Sequence, residues 1–82
     1  MEYKIKNILV LSKGRILVEI NDRKLIISGE LSSNNIFYAE IKSLTQWEPP
    51  FNKETLSVHL IQDLINKIEF YSTDKQIKIL FD

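Results

Sequence analysis

Residues Arg15 to Leu31 read RILVEINDRKLIISGEL, and the pairing of the two halves of this stretch decides the fold. Two alternating runs rich in β-branched residues flank Asn21-Asp22, residue types that tolerate the left-handed backbone of a tight hairpin turn. A two-residue turn sets Ile20 opposite Arg23, Glu19 opposite Lys24, Val18 opposite Leu25 and Ile16 opposite Ile27. One face of the hairpin then carries Ile16, Val18, Ile20, Leu25 and Ile27, which is the expected core face.

The pattern extends in both directions. Upstream, Tyr3 to Leu11 precedes Ser12-Lys13-Gly14, where a three-residue loop would use Gly14 as its positive-φ residue. Downstream, IFYAEIKSL alternates Phe37, Ala39 and Ile41 with Ile36, Tyr38, Glu40 and Lys42, and an odd loop of three or five residues after Leu31 turns Phe37, Ala39 and Ile41 inward. The opposite face gathers Leu17, Ile26, Ser28, Glu30, Ile36, Tyr38 and Glu40, a mixture that suits either partial cover or a contact surface. After Pro49-Pro50 the period changes: Ser57, Leu60, Ile61, Leu64, Ile65, Ile68 and Tyr71 mark one face of a helix of roughly 17 residues, about 26 Å long. Asn52 is the expected N-cap with Glu54 in the first turn, and Asp63 stands one turn before Lys67. Lys75 to Phe81 reads as a last strand with Ile77, Ile79 and Phe81 on one side. The expected fold is α+β in the order ββββαβ, a two-layer sandwich of a mainly antiparallel sheet and one amphipathic helix.

With 82 residues, 44% hydrophobic and 27% charged, the chain reads as one domain, 1–82, with a thin core. It has no cysteine and no apolar run of signal-peptide or transmembrane length at its start, so a cytoplasmic protein without membrane contact is expected. Eleven basic residues balance eleven acidic ones, which argues against a dedicated nucleic-acid binder. The balance is uneven along the chain, because Lys4, Lys6, Lys13, Arg15, Arg23 and Lys24 precede position 25 against three acidic residues.

No constellation carries chemistry. The single histidine, His59, has no second ligand at metal spacing, the two glycines open no phosphate loop, and no serine stands in a nucleophile motif. No enzyme, no metal and no cofactor are expected. Phe70 falls with His59, Asp63 and Asn66, away from the apolar helix face; either the helix ends just before it, which the pattern favours, or the four residues form a polar stripe with an aromatic end. Glu30 follows Gly29 in a strand, so it is either a solvated carboxylate at an edge bulge or part of an acidic, aromatic patch with Tyr38 and Glu40. The segment TQWEPPFN, Thr45 to Asn52, places Trp47 and Glu48 ahead of two prolines that make a stiff, polyproline-like corner. Trp47 either plugs one end of the core, the reading its size favours, or stands on the rim as an anchor.

Ser28-Gly29-Glu30-Leu31, Phe37-Tyr38-Ala39, Ile41-Lys42-Ser43 running into Trp47-Glu48-Pro49-Pro50, one helix and a closing strand together resemble the small bacterial immunity protein family numbered 74, found in polymorphic toxin systems. The resemblance spans nearly the whole chain, and W-E-P-P is its most specific motif. It implies a protein without catalysis that binds and neutralises a cognate toxin domain by covering its active site or an exosite. It points to Trp47 and Glu48, then Glu30, as partner-contact residues, beside Tyr38 and Glu40 of the acidic patch. Immunity proteins against nucleases are often strongly acidic; this chain is neutral, which leaves the class of toxin open. A self-associating accessory domain, a homodimer, is the alternative, and a nucleic-acid binder using the six basic residues ranks third.

Overall fold

In the computed structural model, which describes residues 2–82, five strands form one sheet in chain order. They are β1 (Ile5–Ser12), β2 (Arg15–Ile20), β3 (Arg23–Leu31), β4 (Ile36–Ala39) and β5 (Lys78–Phe81), with helix α1 (Val58–Ser72) between β4 and β5. Neighbouring strands are antiparallel except β4 and β5, which run parallel because the helix carries the chain back to the end from which β4 starts. The fold is α+β in the expected order, with the sheet curled as a half-barrel.

The central hairpin adopts the register its turn dictates. Ile20 pairs with Arg23, Glu19 with Lys24, Val18 with Leu25 and Ile16 with Ile27, and Asn21 takes the left-handed backbone with φ of 55°. Ile16, Val18, Ile20, Leu25 and Ile27 are buried together with Phe37, Ala39 and Ile79, and Leu64, Ile65 and Ile68 of the helix join them from the other layer.

The first hairpin differs from expectation. Ser12 pairs with Arg15, so the turn has two residues, and Gly14 does not have positive φ. Tertiary bonding sets this turn instead: the Gly29 and Leu31 amides of β3 donate to the carbonyls of Gly14 and Lys13 at 3.0 and 2.8 Å, and the Gly14 amide donates to Ser12 Oγ at 3.2 Å.

Leu31 pairs with Phe37 across five intervening residues, the parity that turns Phe37 and Ala39 inward. Ile41 does not follow them. Residues Ile41–Ser43 form a short 3-10 helix, and Ile41 is largely exposed. Ser43 Oγ explains the early end of β4, since it donates to the Glu40 carbonyl at 2.7 Å and accepts the Ser28 amide at 3.1 Å.

The helix also starts later than expected. Ser57, not Asn52, is its N-cap, accepting the Leu60 amide at 3.1 Å, and Glu54 lies in the preceding turn. It runs on past Phe70 to Ser72, so the polar stripe exists and Phe70 stands 79% exposed at its end. The last strand begins at Lys78 rather than Lys75, with Ile79 buried.

Gly29 is where the sheet turns from its first partner to its second. β3 pairs with β2 up to Ser28 and with β4 from Gly29 onward. A Cβ at Gly29 would overlap the Tyr38 carbonyl oxygen and lie 2.6 Å from Phe37 Cε1, so close approach of β4, not an edge bulge, accounts for the glycine.

The helix lies along both edges of the curled sheet. On the β5 side, Ser72 Oγ accepts the Ile79 amide at 2.9 Å and Glu69 Oε2 accepts the Phe81 amide at 2.8 Å. On the β1 side, Lys67 Nζ donates to the Tyr3 carbonyl at 2.7 Å and Tyr71 to the Lys6 carbonyl at 3.2 Å, while Lys67 also pairs with Asp63 at 3.1 Å. Ser72 is buried, so Ser72→Ala leaves the Ile79 amide without its acceptor and is expected to lower stability by about 1–3 kcal/mol in urea unfolding. An unchanged midpoint would mean that this edge is held by packing alone.

Candidate partner-binding surfaces

The TQWEPPFN segment wraps the end of the sheet where β3 begins. The Glu48 amide donates to the Lys24 carbonyl at 2.9 Å, and the Phe51 amide closes a turn onto the Glu48 carbonyl at 3.2 Å. The two prolines, joined by a cis bond, sit within this turn and not in the extended, polyproline-like corner the sequence suggests. Trp47 is fully buried, the largest side chain of the core, with the Tyr3 ring 5.6 Å away. It is the plug of the two readings, and its side chain is not presented to a partner. Glu48 remains partly exposed beside it.

This corner is organised by a residue the sequence reading placed among surface cations. Arg23 is buried, and its guanidinium lies 4.1 Å from the Phe51 ring centroid and 5.9 Å from that of Trp47. Its Nε and Nη2 bond the two Glu54 oxygens at 2.9 and 2.8 Å, and Nη1 reaches Asp22 at 2.6 Å. The fork-to-fork pair explains why the charge is tolerated there. The hydrogen bond from Arg23 holds the Glu54 carboxyl below the usual range against opposing desolvation. The same bond raises Arg23. Arg23 is thereby removed from the basic residues a nucleic acid could meet. Its position opposite Ile20, on the apolar face of the hairpin, was the available sign that it turns inward.

Glu30, Tyr38 and Glu40 come together at the other end of β3. Glu30 pairs with Tyr38 across the strands, and Tyr38 with Leu80 of β5. Tyr38 is 40% exposed, and Glu40 carries only a loose contact with Lys42 at 3.5 Å. Lys24 and Glu30 are six positions apart on β3, about 20 Å, so Glu48 lies far from this patch along the strand. The five residues singled out from the sequence therefore divide into an acidic, aromatic face and a corner, with Trp47 inside. The sequence reading did not single out Leu9, Leu11 and Leu80, which the sheet leaves exposed; only the assigned strand order brings them to light.

On the helix, Phe70 and the stripe His59, Asp63 and Asn66 face solvent, and Val58 is exposed at its start. Among the described residues no group of three or more acidic, histidine or cysteine side chains is gathered for a metal ion, and no helix is long and apolar enough to cross a membrane.

Two measurements check the corner. Trp47→Ala is expected to cost about 3–5 kcal/mol, enough to unfold much of so small a protein, whereas Glu48→Lys should shift stability by no more than about 0.5 kcal/mol. Equal effects in thermal unfolding would contradict the burial of Trp47. Because the Glu54 pKa is lowered on folding, its contribution is complete above the ordinary glutamate value of about 4.3 and disappears as pH falls through the lower folded value. A stability profile across that acid range should therefore flatten in Glu54→Gln; identical slopes would show that other carboxylates carry the dependence.

No curated protein and no solved structure matches the chain. The family model described as immunity protein 74 matches residues 8–82, from the middle of β1 to the last residue, and includes the Gly29 crossing, the acidic face, the TQWEPPFN turn and the helix. The chain belongs to the immunity protein 74 family.

Proposed function

We propose that this chain is a non-catalytic immunity protein of a bacterial polymorphic toxin system, acting in the cytoplasm as a single unit, 1–82, without cofactor or nucleic acid. It binds a cognate toxin domain and neutralises it by covering the active site or an exosite. The observation that carries this reading is the family match over nearly the whole chain.

Glu30, Tyr38 and Glu40 form the contact patch, an exposed aromatic side chain between two carboxylates and suited to a basic partner surface. Glu48 contributes at the corner. Trp47 supports binding indirectly, by filling the core beneath the turn that carries Glu48.

Self-association has its own supporting observation, the exposure of Leu9, Leu11 and Leu80 on the sheet. The two readings separate on light scattering of the purified protein, which should give a monomer if the first holds.

Co-expression with the C-terminal domain encoded immediately upstream is the direct test. The protein should restore growth and bind that domain one to one in titration calorimetry, and Tyr38→Ala with Glu30→Lys should weaken binding by about a hundredfold or more while leaving thermal stability nearly unchanged. Toxicity without rescue or binding would remove the immunity reading.

A further inference from the structure

The two edges of the curled sheet are treated differently. The outward amides of Ile79 and Phe81 on β5 are taken by Ser72 and Glu69. On the β1 side the helix reaches the Tyr3 and Lys6 carbonyls and no further. Ladder alternation says what is left. The two-residue turn makes Ile20 and Arg23 a hydrogen-bonded pair, so Val18 and Ile16 bond toward β3, and Leu17 and Glu19 bond toward β1. Their partners Leu9 and Asn7 bond inward, which leaves the backbone groups of Ile8 and Val10 on the open side. The Ile8 amide agrees: it is bonded by the side chain of its neighbour Asn7 at 2.9 Å.

This open half-strand is neither short nor charged at its centre. Leu9, Val10 and Leu11 are 44%, 41% and 49% exposed. Proteins ordinarily protect such an edge, because it is a template for another strand. Beside it, between β1 and β5, lies a cleft of about 300 Å³ with one apolar wall of Ile8, Val10, Ile16, Ile77 and Ile79 and a polar rim that includes Lys75 and Gln76, room for side chains projecting inward from an added strand. Basic residues flank the apolar centre, Lys4 and Lys6 before it, Lys13 and Arg15 after it. Among the described residues no carboxylate lies within salt-bridge distance of these four.

We propose that the uncovered half of β1 is a second docking site, which takes an extended segment of a protein partner, apolar at its centre and acidic at both ends, as an added strand. The proposal rests on the reading that the chain acts by binding a protein. Charge selects the occupant. Two copies of β1 laid antiparallel bring Lys4 and Lys6 of one toward the Lys13 end of the other, where Arg15 stands beside it at the start of β2, and laid parallel they place each lysine against itself, so a second copy is disfavoured. A nucleic acid would meet the basic ends but has nothing to offer the exposed Leu9–Leu11 centre or the outward backbone groups of the strand.

The test uses the whole protein, isotopically labelled, and two synthetic peptides the length of β1 that share one alternating valine–threonine centre, one with glutamate ends and one with lysine ends. In amide spectra at low salt the glutamate-ended peptide should perturb Ile8 to Ser12 and slow exchange of the Ile8 and Val10 amides. It should bind about tenfold or more tighter than its lysine-ended counterpart, an advantage that shrinks as salt is raised. Lys13→Glu with Arg15→Glu, both exposed, should abolish or reverse that preference. Binding of neither peptide at β1, or of both equally, would overturn the proposal. So would concentration-dependent shifts of β1 without peptide, which would indicate a second copy, or tighter binding of a single-stranded oligonucleotide at the same residues. The peptides need no toxin, so failed rescue by the neighbouring toxin domain and failed strand addition are separate results.

Discussion

The missing side chain at Gly29 is the constraint on which the rest of the structure depends. With no Cβ to meet the Tyr38 carbonyl, β4 lies directly against β3 at the residue where β3 leaves β2. The sheet curls as a half-barrel, and its first and last strands both meet the one helix. That helix then does two things at once. Its apolar side supplies Leu64, Ile65 and Ile68 to the core, and its flanking polar groups, Lys67 and Tyr71 on one side and Glu69 and Ser72 on the other, bond the backbone of the two edges. Fifteen helical residues span about 22 Å, so a flatter sheet would set its edges apart from a helix that could reach only one of them.

The far end of the sheet is secured by a different device. An arginine on the core face would be costly alone, since burying an unpaired charge outweighs any packing gain. Here Glu54 meets it with both oxygens, and the rings of Phe51 and Trp47 lie near the guanidinium. The pair fixes where the chain between β4 and the helix must pass, because Glu54 reaches Arg23 only if the turn from Glu48 to Phe51 is in place. The W-E-P-P motif is therefore tied first to folding: its tryptophan fills the core, its glutamate amide bonds β3, and its prolines turn the chain toward the ion pair.

The hairpin of β2 and β3 was legible because a two-residue turn and a strict alternation leave one register that buries Ile16, Val18, Ile20, Leu25 and Ile27 on the same side. The helix face was legible for the same kind of reason, period without competition. What the sequence concealed were bonds between distant residues. Gly14 looked like a positive-φ turn residue, but Gly29 and Leu31 claim the turn carbonyls. Asn52 and Ser57 are both able caps, and pairing of Glu54 with Arg23 holds the first of them in the preceding loop. Ile41 continued an alternating pattern until Ser43 bonded back to Glu40. Of the candidate site residues, Glu30 and Tyr38 were correctly read as sharing a face, since strand parity alone assigns it. Trp47 was favoured as a core plug by its size and is buried, although a tryptophan before a proline pair also suits a rim until the path of the chain is known.

Net charge would have hidden the surface this arrangement creates. The chain is neutral, yet its basic excess before position 25 lies around β1 and the first turn, while Glu30 and Glu40 stand beside Tyr38 at the β3–β4 end. Arg23 sharpens the division rather than blurring it, since its charge is satisfied inside the corner by Glu54 and Asp22. The two patches adjoin at the first turn, where Leu31 and Gly29 bond the Lys13 and Gly14 carbonyls, and screening over about 8 Å at physiological salt isolates the acidic patch only from Lys4 and Lys6 at the other end of β1. A protein of this kind presents an acidic, aromatic surface and a basic, strand-shaped one at the same time. Strong overall acidity is thus unnecessary for electrostatic complementarity, and neutrality carries no information about the sign of the surface a partner meets.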